Sequence, residues 1–152
     1  MLINGVEAVV DGRSPGRCDL ALEHATGFAG CWLTNANGSV SWSSLDNLND
    51  GLKIVGAGDF NNDGTDDILL QKGNYFGAWI IKNGNATDWM GLGSSNGTVE
   101  QIEDFNGDGV DDIRLRTDRG DIGVLLVNGE DSLTWNYYGS VGSEWNTALA
   151  AL

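Results

Sequence analysis

The apolar positions of this chain fall in short runs, punctuated at close intervals by polar turn residues. Between residues 53 and 89 the pattern predicts four strands, Lys53–Ala57, Ile68–Gln71, Phe76–Ile81 and Asn85–Trp89. Lys72-Gly73-Asn74 and Asn83-Gly84 separate the last three. Asn-Gly between apolar runs is a strong hairpin signal, because both positions accept positive φ. The same cadence predicts Val99–Glu103, Ile113–Arg116, Asp121–Val127 and Ser132–Asn136 downstream. Upstream it predicts Val6–Val10, Leu20–Glu23, Phe28–Leu33 and Ser39–Trp42. No run carries a convincing helical period.

These strands belong to three copies of one unit. Setting Asp59 over Asp104 brings Ile68-Leu69-Leu70-Gln71 over Ile113-Arg114-Leu115-Arg116 and Asn83-Gly84 over Asn128-Gly129. Trp89 and Trp135 then correspond within one residue. A decayed first copy places Asp11 on Asp59, Gly16 on Gly64, Asp19 on Asp67 and Trp42 on Trp89. The whole chain, 1–152, reads as one repeat domain with units at about 6–44, 52–91 and 98–138. Residues 144–152, beginning Glu144-Trp145-Asn146-Thr147-Ala148-Leu149, look like the first strand of a fourth. A four-stranded antiparallel meander repeated every ~45 residues is the signature of β-propeller blades, each of which buries its faces against its neighbours. The expected fold is therefore all-β, with three propeller-like blades and an extra C-terminal strand. Three blades do not close a ring, since propellers usually have ~4–8. The chain is thus expected to be part of a larger propeller or to complete one as a homo-oligomer.

The nine residues between the first and second strands carry the chemistry. Asp59-Phe60-Asn61-Asn62-Asp63-Gly64-Thr65-Asp66-Asp67 sets oxygen-bearing side chains at its first, third, fifth and ninth positions and glycine at the sixth. Asp104-Phe105-Asn106-Gly107-Asp108-Gly109-Val110-Asp111-Asp112 repeats it. A tight curl can turn Asp59, Asn61, Asp63 and Asp67 inward, with the Thr65 carbonyl between them as a main-chain ligand. Asp104, Asn106, Asp108, the Val110 carbonyl and Asp112 match them. Five oxygen-bearing residues per loop suit Ca²⁺ better than Mg²⁺, which wants a strict octahedron and keeps its waters. Two calcium sites are expected. An EF-hand is excluded, because its twelfth-position Glu is here Leu70 or Leu115, inside a strand. The alternative is a metal-free loop rich in Asx turns. In the first copy Arg13 and Pro15 occupy ligand positions, and no metal is expected there.

Composition narrows the partners. A formal charge of −14 opposes nucleic acid and anionic membrane surfaces. Nine of the 22 acidic residues crowd around the two loops (Asp59, Asp63, Asp66, Asp67, Glu103, Asp104, Asp108, Asp111 and Asp112). No apolar run approaches the ~20 residues of a membrane span, so no membrane insertion is expected. The start Met1-Leu2-Ile3-Asn4-Gly5 lacks the pattern of a signal peptide, which leaves a segment of a longer secreted protein or a signal-less export route. Cys18 and Cys31 form either one disulfide or two free thiols.

The motif Gly58-Asp59-Phe60-Asn61-Asn62-Asp63-Gly64, followed by Asp67-Ile68-Leu69-Leu70, resembles the FG-GAP/VCBS repeats of integrin-α-like propellers, especially the bacterial type. Asp104–Asp112 with Ile113 and Leu115 matches nearly as well, whereas the first copy departs at its loop. The resemblance implies a secreted or cell-surface module for adhesion or recognition of an extracellular protein or glycan, in which calcium is structural.

The remaining candidates weigh toward bland roles. Trp42, Trp89 and Trp135 recur on the last strand of each unit and could stack on sugars in a lectin-like domain, although packing between units is the commoner fate of such residues. Trp79 and Trp32 read as core. Gly93-Ser94-Ser95-Asn96-Gly97 formally matches a nucleophile elbow but lies in a polar connector, and His24 is the only histidine. The reading is therefore non-enzymatic. His24 reads as an exposed turn residue. Asn37-Gly38-Ser39, Asn85-Ala86-Thr87 and Asn96-Gly97-Thr98 are glycosylation sequons, which arise easily in Asn-Gly-rich turns. A calcium-stabilised accessory domain of a larger secreted enzyme is the further alternative.

Overall fold

The computed structural model describes residues 8–9, 18–48 and 51–148. The described residues are all-β, in three four-stranded antiparallel sheets. The first contains β1 (Ala8–Val9), β2 (Leu20–Glu23), β3 (Phe28–Thr34) and β4 (Val40–Asn47). The second contains β5 (Lys53–Gly58), β6 (Asp67–Lys72), β7 (Tyr75–Lys82) and β8 (Asn85–Ser94). The third contains β9 (Thr98–Glu103), β10 (Asp112–Arg116), β11 (Asp121–Val127) and β12 (Leu133–Ser140). Strands pair in chain order, as a meander requires.

Asn83 and Gly84 turn between β7 and β8 with φ of 52° and 74°, the left-handed pair that Asn-Gly supplies at low cost. The fourth strands run past the predicted ends, to Asn47, Ser94 and Ser140. Their third-strand partners carry the ladder onward across bulges, at Phe28/Gly30, Phe76/Gly77 and Ile122/Gly123. Backbone pairing, which is blind to side-chain polarity, extends these strands beyond their apolar signal.

The core forms between sheets. Ile54, Ile68, Leu70 and Ile81 of the second sheet meet Ala21, Ala29, Cys31 and Leu33 of the first. On its other face Leu69, Phe76, Ala78, Ile80 and Leu92 meet Ile113, Leu115, Leu125 and Val127 of the third. The middle sheet buries both faces, which is why Ile68-Leu69-Leu70 is a run of consecutive apolar residues rather than an alternation. Each large side chain so buried contributes roughly 1.5–3 kcal/mol. First strands neighbour first strands across the stack, and fourth strands neighbour fourth strands.

Two expectations are corrected. Residues 144–148 form no strand: Arg116 Nη1 donates to the Trp145 carbonyl at 2.8 Å, and Thr147 Oγ1 donates to Glu100 Oε2 at 2.8 Å. A strand needs a hydrogen-bonded neighbour, and this segment hangs on side chains of the third sheet instead. Trp32 is not core. It is 40% exposed, on the face of the first sheet turned away from the second, and meets Trp42 edge to face at 6.1 Å.

Candidate metal centre

Each acidic loop joins a first strand to a second, and its own hydrogen bonds curl it. Asp59 Oδ1 accepts the Asp63 amide at 3.1 Å, and Oδ2 accepts the Gly64 amide at 2.8 Å. Asn61 Oδ1 accepts the Asp63 amide at 3.0 Å, and Asp63 Oδ1 accepts the Thr65 amide at 2.9 Å. The second loop repeats the set. Asp104 accepts from Asp108 and Gly109 at 3.2 and 2.8 Å, Asn106 from Asp108 at 2.9 Å, and Asp108 from Val110 at 2.9 Å. Gly64 and Gly109 take φ of 82° and 90°, a conformation closed to most side chains. Oxygens at positions one, three and five are thereby held over the curl. The amide of Gly109, followed by those of Gly107 and Asp108, holds the Asp104 carboxyl below its ordinary range against the opposing effect of desolvation.

Position nine is used differently. Asp67 and Asp112 are both fully buried. Asp67 Oδ1 accepts the Ile81 amide at 3.0 Å and Oδ2 the Phe60 amide at 3.2 Å. Asp112 accepts the Val127 amide at 2.9 Å and the Phe105 amide at 3.1 Å. Each carboxylate is a strut from the loop to the end of the third strand of its sheet. In the first unit Asp19 Oδ2 accepts the Thr34 amide, the equivalent bond. Burial pushes the Asp67 carboxyl up to about 7, against the lowering effect of its two amides and with further upward pressure from Asp63 and Asp59. Burial raises Asp112 for the same reason.

These donors suit a hard cation in kind: per loop, two carboxylates and a carboxamide in a pre-formed curl, with a main-chain carbonyl at position seven. Among the described residues, no three His, Cys, Asp or Glu side chains are gathered into a metal-binding group. The ninth-position carboxylate of each loop, Asp67 or Asp112, is turned into the sheet. A carboxylate has about four lone-pair sites, so the two amide bonds on Asp67 leave acceptor capacity unused. Asp11, Arg13 and Pro15 lie outside the described residues.

Two features escaped the sequence reading. Asp111, at position eight, accepts the Asp59 amide at 2.8 Å through Oδ2, and its own amide donates to the Asp59 carbonyl at 2.8 Å. The doubled acids Asp66-Asp67 and Asp111-Asp112 were its only signal. The recurring tryptophans lie across glycines of their own sheets. A Cβ built on Gly30, Gly77 or Gly123 would stand 1.9, 2.1 or 2.7 Å from the ring of Trp42, Trp89 or Trp135. Trp42, Trp89 and Trp135 stay 46%, 38% and 38% exposed.

His24 is exposed at its turn and bonds Thr26. Gly93–Gly97 joins β8 to β9, strand to strand. Cys18 and Cys31 are joined in a disulfide, which settles the pair left open by the sequence. No helix of the described residues is long and apolar enough to cross a membrane. Comparisons with protein-family models, with curated proteins and with solved structures each found no match.

Proposed function

We propose that this chain is a calcium-binding repeat module of the propeller type, related to FG-GAP/VCBS repeats, that serves extracellular adhesion or recognition. Two ions brace it, one at Asp59, Asn61, Asp63, the Thr65 carbonyl and Asp67, the other at Asp104, Asn106, Asp108, the Val110 carbonyl and Asp112. The observation that carries this reading is the near-identical hydrogen-bonded curl of the two loops, in which backbone amides organise three side chains before any ion arrives. Such preorganisation lowers the entropy lost on binding. The Cys18–Cys31 disulfide supports an oxidising, calcium-rich compartment, where millimolar calcium fills even weak sites.

An ion held by the native state alone stabilises it by about 2.7 kcal/mol at a hundredfold excess over its Kd. Melting in millimolar calcium is therefore expected to lie at least about 5 °C above melting in EDTA. Coincident melts would end the calcium reading. A second reading, a glycan-binding surface, is favoured by the half-exposed Trp42, Trp89 and Trp135 on successive fourth strands. Binding to a glycan array that is lost on Trp89→Ala would select it.

A further inference from the structure

The two acidic loops touch. The paired bonds between Asp59 and Asp111 join the first residue of one loop to the eighth of the next, across two sheets. No side chain at residue 58 would fit beside them: a Cβ on Gly58 would stand 2.8 Å from Asp111 Oδ2 and 2.6 Å from Ile102. A second contact lies at the tips. Asn62, itself at φ 57°, lays its amide against Gly109, where a Cβ would stand 3.0 Å from both Asn62 Oδ1 and Nδ2. Between the loops lies a cleft of about 370 Å³ that Phe60 and Asn61 line from one side and Asp108 and Val110 from the other.

We propose that Asp111 is a positioning residue that couples the two loops, so that a cation held by Asp104–Asp112 strengthens cation binding at Asp59–Asp67, and the reverse. The inference rests on the calcium reading above and adds communication to it. The physical route is short. Asp111 stands between Val110, whose carbonyl is a ligand of the second loop, and Asp112, the ninth-position carboxylate. An ion that orders these two fixes Asp111, and Asp111 fixes the main chain of Asp59, whose carboxylate opens the first loop. Ordering by the first ion is then ordering that the second no longer has to supply. Linkage makes the effect equal in both directions. Asp111 itself need not touch either ion.

The test is calcium calorimetry on the whole chain. Asp108→Ala gives the affinity of the first loop alone, Asp63→Ala that of the second alone, and the unaltered chain the product for both. The ratio of that product to the two single affinities is the coupling factor, expected to be at least about fivefold. In an Asp111→Ala background the factor is expected to fall to within twofold of one. Asp111→Asn keeps an acceptor oxygen and is expected to retain it, which also guards against an alanine variant that fails to fold. A merely structural Asp111 would shift melting temperatures and leave the factor unchanged. Two bound ions with a factor near one in the unaltered chain would overturn the coupling and leave the calcium reading standing. No bound ions would overturn both.

Discussion

The first and second units share a fold but not a loop, and their difference separates two jobs that one motif seemed to combine. In the second unit Asp59, Asn61 and Asp63 gather amides around a curl while Asp67 props the loop against Ile81. In the first unit the third and fifth positions are Arg13 and Pro15, yet Asp19 still holds the Thr34 amide. The strut therefore survives where the sequence departs from the loop motif. Ninth-position carboxylates are bonded to the third strand in all three units, and positions three and five are where the sequence of the first unit departs from the other two.

The largest expected effect that sharpens this comparison is one of pH on the calcium-free protein. The folded-state pKa of Asp67, near 7, lies above the unfolded value of 3.8. Between those values the folded chain holds a proton that the unfolded chain has released, so stability falls as pH rises through the window. A gap of one pH unit between folded and unfolded pKa is worth about 1.4 kcal/mol, so this group contributes up to a few kcal/mol across the window. Urea unfolding in EDTA from pH 4 to pH 7 is expected to show the decline. Asp67→Asn, a mimic of the protonated acid, is expected to reduce it, the remainder coming from Asp112, which burial raises in the same direction. A slope unchanged in the variant would remove Asp67 as its source.

Next in size is loss of the strut itself. Asp67→Ala orphans two buried amides, those of Ile81 and Phe60, and is expected to cost about 3 kcal/mol by chemical unfolding in EDTA. Asp19→Ala releases the Thr34 amide and is expected to cost about 1 kcal/mol. If calcium were needed for the ninth position to matter, both costs would vanish in EDTA. Smallest is Asp63→Ala, an exposed position, expected to change calcium-free stability by no more than about 0.5 kcal/mol while abolishing any stabilisation that calcium gives through that loop.

Much of the fold was legible because its signals are local. Apolar runs bounded by Lys72-Gly73-Asn74 and Asn83-Gly84 located β6, β7 and β8, and the matching loops located the repeat. What escaped depended on register and on neighbours. Trp89 lies across Gly77 because both project from the same face on adjacent strands, with Trp89 directly opposite Trp79. No linear pattern states that diagonal. Asp111 and Asp112 are adjacent and identical in type, yet one reaches the neighbouring sheet and the other its own third strand. Asp112 opens β10 and Asp111 precedes it, so the doublet serves two partners that only the assembled sheets reveal. The strand expected at Glu144–Leu149 carried the right residues and lacked a partner for its backbone within residues 144–148.

The central claim is that the two intact loops, and not the strut they share with the first unit, hold cations. Counting bound calcium by calorimetry on the unaltered chain beside Asp63→Ala, Asp108→Ala and Asp19→Ala tests it most directly. The account predicts two ions, one, one and two, in that order. No ions in the unaltered chain, or a count indifferent to Asp63 and Asp108, would contradict it.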